Sequence, residues 1–243
     1  MKVMTDGLVI RETPVGEADK FVTLLTRDLG VIRAGARGSR KINSRSGAAT
    51  RLFTHAQLTV QKSRANWYLE DARPLHLFFE LKNDIERLAL GQYFCELAGA
   101  LCPREEPAGE HLRLLLNSLH YLSGGERPPL LLKAVTEGWL TAAAGYQPDL
   151  GGCSVCGAAE GEFRLLPEAG RLVCRDCPGE GYPLSPGALA ALGRIVEGPL
   201  ERCFSFTLPE GDLKQLAAAT EGFMKAQLGR SFATLDFYHT LTT

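Results

Sequence analysis

Over the first seventy residues, apolar positions come in short runs broken by polar ones. "GLVIRE" (7–12), "KFVTLLT" (20–26), "VIRAG" (31–35), "RLFTHAQLTVQ" (51–61) and "NWYLED" (66–71) are rich in β-branched and aromatic residues, and "RDLG" supplies a turn between the second and third. Five strands in so short a span need a closed or nearly closed sheet to protect their edges. A five-stranded OB barrel is the economical solution, with an SH3-like barrel as its competitor. "ARGSRKINSRSGAAT" then becomes a long loop between strands three and four.

Beyond "RPLHL" the period becomes helical. Leu77, Leu81, Ile85, Leu88 and Cys95 form one stripe, Leu112, Leu115, Leu116, Leu119 and Leu122 a second, and Leu132, Val135, Trp139 and Ala142 a third. Ser185 and Pro186 suit the N-cap and first position of a further helix, and "DLKQLAAATEGFMKAQLG" and "SFATLDFYHTL" continue helical to the end. The expected fold is α+β and multidomain: a barrel over 1–79, a helical bundle over 80–147 and 184–243, and an insert over 148–183 within the bundle.

That insert carries Cys153, Cys156, Cys174 and Cys177 in the spacing C-x2-C-x17-C-x2-C, a zinc-ribbon pattern. Each pair sits on a tight turn, so four sulfurs converge on one Zn²⁺. Four thiolates leave no position for water, which makes the zinc structural. "FRLL" and "RLV" are the strands expected to carry the two turns. Two disulfides or a redox pair are the alternatives; they need an oxidising compartment or a thioredoxin-like setting that the sequence does not display. The remaining cysteines, Cys95, Cys102 and Cys203, have no partner at ligand spacing and read as small apolar residues on helix faces.

The net charge of −1 conceals an asymmetry: residues 1–80 carry +5 and the remainder −6. Between Asp28 and Glu70 stand Arg33, Arg37, Arg40, Lys41, Arg45, Arg51, Lys62 and Arg64 without one acid. A basic module joined to an acidic body predicts a polyanion partner for the first part and protein partners for the second. The insert, with three Arg against six acids, is expected not to grip phosphate. Phe53 and Trp67, on the predicted fourth and fifth strands, are candidates for stacking on bases; the competing reading of an aromatic in a small barrel is core. Tyr68 points to the opposite face from Trp67. About five phosphate contacts would give a log-log salt slope near −3.5 on single strands.

No phosphate-binding glycine loop, dinucleotide fingerprint, zinc-protease helix or nucleophile elbow occurs, and the five histidines are scattered, so catalysis is not expected. No apolar run has the length of a signal peptide or a membrane span, so the expected protein is soluble and cytoplasmic, with nucleoid association when it holds DNA.

"GLVIRETPVGEADKFVTLLTRDLGVIRAGARGSRKINSRSG", "YQPDLGGCSVCG", "RDC" and "LSPGALAAL", in that order along the whole chain, resemble the bacterial recombination mediator family RecO. The resemblance implies an OB domain, a helical domain and a zinc-ribbon-like element without ATPase activity. It also implies binding of single- and double-stranded DNA, annealing of complementary strands, partnership with RecR and through it RecF, and help to RecA in displacing single-strand-binding protein. The family's basic loop maps onto Arg33 through Arg45 and its zinc ligands onto the four cysteines. "GAATRLFTH" departs from the family's Gln-Pro-Phe, matching Phe53 alone. The acidic tail of single-strand-binding protein would be received by the helical body, with Lys133 and Arg127 as guesses for its cationic contacts. The alternative functions are an OB-plus-zinc-ribbon RNA-binding protein and a protein scaffold without a DNA role.

Overall fold

The alternating segments do form strands, most of them longer than their apolar centres. The structure, a computed structural model, describes residues 1–44 and 46–242. β1 (Lys2–Val15), β2 (Asp19–Thr26), β3 (Gly30–Ala36), β4 (Thr54–Ser63) and β5 (Asn66–Leu77) pair in the order β1-β2-β3-β5-β4. β4 returns to β1, so the sheet closes into a barrel. β3 and β5 run parallel and every other neighbouring pair antiparallel. Inward positions follow the two-residue period: Val22 and Leu24, Ile32 and Ala34, Leu58 and Val60 fill the interior together with Trp67.

The fourth strand starts later than its composition suggests. Phe53 takes a left-handed backbone (φ 65°), its N–H donates to the Val9 carbonyl at 3.0 Å, and its ring lies against Gly91 of the next helix, so residues 51–53 turn where an extended run was expected. That helix, α1 (Ile85–Leu101), begins only after Asp84, whose carboxylate accepts from the amides of Glu86 (2.9 Å) and Arg87 (3.1 Å). Leu77 and Leu81 therefore belong to the end of β5 and a 3-10 turn, and Ile85 is exposed. The buried face of α1 is built from Leu90, Tyr93, Phe94, Cys95 and Leu97. α2 (Gly109–Gly124) packs on it through Leu112, Leu115, Leu119 and Leu122, as its period predicts.

The connection from α1 to α2 is stitched to the barrel. Val31 N–H donates to Pro103 O and Ala108 N–H to Arg27 O, both at 2.8 Å. Gly30, at φ +57°, lies so close to the Pro103 carbonyl that any side chain would collide with it. These elements form one compact unit, Met1–Gly124 with the residues from Phe237 onward; Gly125–Asp236 form a second. The helices are thus divided between two units.

In the second unit α3 (Pro129–Ala143) was expected to show one apolar stripe. It is instead buried on nearly all sides from Leu131 to Gly138, including Lys133, Thr136 and Glu137. It is packed by α4 (Pro186–Val196) and α5 (Glu210–Leu228). Ser185 caps α4 as its sequence predicts, its Oγ accepting from Ala188 N–H at 3.1 Å. The cysteine segment forms a sheet in the order β6-β8-β7-β9, from β6 (Asp149–Cys153), β7 (Phe163–Leu166), β8 (Arg171–Cys174) and β9 (Tyr182–Leu184). Gly222 of α5 leaves room for the Tyr182 ring, which a side chain there would displace, so sheet and helix dock closely. The last helix is α6 (Ala233–Thr242). No described helix is long and apolar enough to cross a membrane.

Candidate nucleic-acid interface and metal centre

The segment between β3 and β4 is a held loop. Gly38 N–H donates to the Asp19 carboxylate (2.7 Å), Arg40 N–H to Ala18 O (3.0 Å) and the Arg40 guanidinium to Gly16 O, tying the loop to the β1–β2 turn. Ser39 Oγ donates to Ala36 O (2.8 Å) and Thr50 Oγ1 to Ser46 O (2.7 Å). Apart from that Arg40 bond these use backbone, small hydroxyls and the Asp19 carboxylate, and Arg37, Arg40, Lys41 and Arg51 are exposed. Between loop, barrel end and the turn before α1 lies a cavity of about 780 Å³ into which Lys20, Arg40, Lys41, Arg51 and Lys82 converge. Glu12 is its one acidic lining residue among the described residues. Lys20 is buried and donates to Glu12 at 2.7 Å, and Leu52 N–H donates to the same carboxylate at 2.9 Å. Burial works against the Glu12 carboxylate, but these two bonds and the charges of Lys20 and Lys82 outweigh it and hold its pKa below the usual range.

Beside the loop, the outer face of β2, β3 and β5 presents two half-buried aromatic rings. Gly35 pairs with Phe21 on one side and Tyr68 on the other. Its missing side chain leaves a bare backbone strip between the two rings. The Arg33 guanidinium lies over Phe21 at 4.1 Å and that of Arg37 over Tyr68 at 5.5 Å. Guanidinium planes and π-faces alternate across this surface, an arrangement suited to stacking planar, anionic ligands.

In the second unit Cys153 ends β6 and Cys174 ends β8, two strands paired in parallel, so the first sulfur of each C-x2-C pair arrives from the same side. Gly157 N–H donates to Cys153 O (2.9 Å) and Cys177 N–H to Cys174 O (3.3 Å), closing the two turns that bring in Cys156 and Cys177. All four sulfurs lie within 4.8 Å of one another, and those of Cys156 and Cys174 are 3.7 Å apart. Four sulfurs at about 2.3 Å from one tetrahedral ion stand about 3.8 Å apart, so the donor set and spacing fit a soft divalent cation. Backbone amides of Cys156 and Cys174 pull the Cys153 thiol down to about 6. Hydrogen bonds with Cys174 and Cys156 push Cys177 up to about 12. Arg164 donates from Nη2 to the carbonyls of Cys177 (2.8 Å) and Cys174 (3.2 Å), which sets a cation behind the second turn.

Residues 1–78 match the family profile described as "Recombination protein O N terminal" and residues 82–236 that described as "Recombination protein O C terminal". The chain is 30% identical to the DNA repair protein RecO of Acetivibrio thermocellus, over 98% of this chain and 96% of that protein. It is 33% identical to that of Symbiobacterium thermophilum, over 97% and 96% respectively.

The chain belongs to the RecO family.

Set against this RecO fold, the basic residues singled out in the sequence fall into three groups. Arg33 and Arg37 stand over the aromatic face; Arg40, Lys41 and Arg51 line the cavity. Lys62 is engaged with Glu105 at 2.5 Å and lies over the Trp67 ring, while Arg64 is exposed at the β4–β5 turn with φ 54°. Arg45 lies outside the described residues. The two proposed stacking residues need correction. Phe53 is 1% and Trp67 4% exposed, and Trp67 Nε1–H donates to Glu105 at 3.0 Å, so both rings are core and neither offers a face to a base. Phe21 and Tyr68, by contrast, are half-buried rings on the outer face. Lys133 is also corrected: it is 2% exposed and ion-paired with Glu137 (3.0 Å) and Glu221 (2.7 Å), and cannot greet an incoming carboxylate.

Sequence reasoning missed Lys20 and Lys82, which flank the acid-free window, and the acids Glu12, Asp19 and Glu105, which reach into it from elsewhere in the chain. A signal for Phe21 existed: strict alternation along "KFVTLLT" puts it on the face opposite Val22 and Leu24.

Proposed function

We propose that this protein is a non-catalytic mediator of DNA repair and recombination. It binds single- and double-stranded DNA through residues 1–79, read as an OB-type domain, and anneals complementary strands without ATP. With RecR, and RecF through it, it helps RecA load onto DNA covered by single-strand-binding protein. The observation that carries the reading is the joining of two features on one unit: an aromatic and arginine face built on Phe21, Gly35 and Tyr68, and the cationic cavity beside it. Single-strand binders combine these two properties, π-faces for bases and a positive track for phosphates. Family membership supports the same reading, since the relatives carry the name DNA repair protein.

Annealing without ATP follows from the electrostatics. A cationic surface that holds two strands screens their mutual repulsion and raises their local concentration, and base pairing then proceeds on its own free energy. No base-reading pattern accompanies the charge, so binding is expected to be independent of sequence. The four cysteines would hold one structural Zn²⁺, whose closed coordination supplies folding energy to the β6–β9 sheet over residues 148–183. The acidic second unit, with 10 Lys and Arg against 14 Asp and Glu, is suited to protein partners, the tail of single-strand-binding protein among them.

The test is fluorescence anisotropy of a labelled single strand across salt concentrations, comparing the protein with a variant in which Arg33, Arg37, Arg40 and Lys41 are changed to Glu. A steep wild-type salt slope that collapses in the variant is expected. Equal binding by both would remove this surface as the DNA grip, and the loop would then await a protein such as RecR.

A further inference from the structure

The loop holds one apolar side chain that folding does not use. Ile42 is 103% exposed, more than any other large apolar residue described, and it lines the rim of the cationic cavity next to Arg40 and Lys41. Ser44 N–H donates to Lys41 O at 3.0 Å, which closes a β-turn with Ile42 at its first corner. Turn corners favour Gly, Pro, Asn, Asp and Ser, and a β-branched residue there gains neither turn geometry nor burial. The turn is also fixed in place, because Lys41 N–H donates to Gly38 O (3.2 Å) and Arg40 N–H to Ala18 O (3.0 Å). A stiff apolar tip is thus held outward on an anchored loop and ringed by cations.

We infer that Ile42 is an unstacking wedge that enters between neighbouring base pairs of DNA whose phosphates are held by Arg40, Lys41 and Arg51. The inference rests on the DNA-binding reading above and adds to it a deformation of the paired substrate. Cations would bring the phosphates of a duplex or hairpin stem to the cavity rim, where Ile42 stands beside Arg40, Lys41 and Arg51. Burying an aliphatic tip between partly separated steps then offsets the lost stacking, as apolar wedges do in proteins that kink DNA. Wedging distorts a stem without ATP, so that strands folded on themselves are opened for a new partner. The Phe21 and Tyr68 rings, half-buried on strands, are suited to receive bases already free.

The experiment uses the full chain and a duplex with 2-aminopurine in an interior stack, reading base fluorescence and anisotropy on the same sample. Wild type is expected to raise the fluorescence on binding. I42S should keep the salt slope, because no charge changes, yet lose most of the rise at saturating protein, and I42M should restore it. A rise retained in full by I42S, or a wild-type protein that binds without any rise, overturns the wedge and leaves the DNA-binding reading standing. Absence of duplex binding by wild type at low salt overturns both.

Discussion

The loop between β3 and β4 and the core between α3 and α5 handle charge in opposite ways. In the loop, cations stand in solvent and, apart from the Arg40 bond to Gly16 O, the hydrogen bonds that shape it do not use them. In the α3–α5 core, Lys133 contacts Glu137 and Glu221, Lys225 donates to Glu221 at 2.7 Å, and Thr220 Oγ1 donates to Glu137 at 2.9 Å. Two cations meet two anions there, and Lys133 and Glu137 are almost wholly buried. Burial forces the balance, because an unpaired ion in a low-dielectric core costs several kcal/mol, whereas an exposed ion is solvated and can wait for a partner. Unbalanced charge at the surface is therefore available to a partner, whereas balanced charge in the core is architectural.

The largest effect should come from removing the zinc proposed for the four cysteines. Stripping it with a strong chelator is expected to unfold the β6–β9 sheet, seen as lost amide protection there, while the barrel keeps its DNA affinity. Glu137→Ala comes next. It leaves Lys133 buried with one anion fewer and should cost roughly 3–5 kcal/mol in urea unfolding, with the anisotropy titration unchanged. The same network predicts a pH dependence. Burial lowers the Lys133 pKa, but the charges of Glu137 and Glu221 outweigh it and hold the pKa above the usual lysine value. Its stabilisation is then complete below the unfolded pKa of about 10.4 and is lost only as pH rises through the folded value; erosion of this contribution near neutrality, followed through Lys133→Met, would contradict the assignment.

On the barrel the order reverses between stability and binding. Tyr68→Ala should weaken single-strand binding by about 1–3 kcal/mol through one lost stack, with little change in salt slope. The smallest effect is expected from Lys41→Gln: a slope shallower by about 0.7 on single strands, for one phosphate contact fewer, and stability within about 0.5 kcal/mol of wild type. A large stability loss from this last change would erase the contrast between loop and core.

Much of this was legible in the chain itself. Alternation located five strands, the C-x2-C pairs located four sulfurs that do converge, and Ser185-Pro186 located the start of α4. The aromatic assignments were harder. Phe53 and Trp67 have the composition of exposed stacking residues and the positions of core ones; the left-handed turn at Phe53 and the approach of Gly91 decide the first, and the closed barrel interior with Glu105 the second. Lys133 illustrates the same difficulty: a lysine beside the predicted apolar stripe reads as exposed until a second helix delivers Glu221 to it.

Sequence alone determined the local properties: strand and helix periods, the cap of α4, the metal-ligand spacing and the unbalanced charge of the loop. Each depends on residues close along the chain, where period and spacing act directly. Tertiary structure decided which charges are spent and which remain. Glu12, Asp19 and Glu105 reach the basic segment, Lys20 and Lys82 join its cavity, and Gly35 brings Phe21 and Tyr68 to either side of one strip only because the barrel closes. Coulombic and stacking interactions fall off over a few ångströms of space, not of sequence, so their outcome is set when distant segments meet.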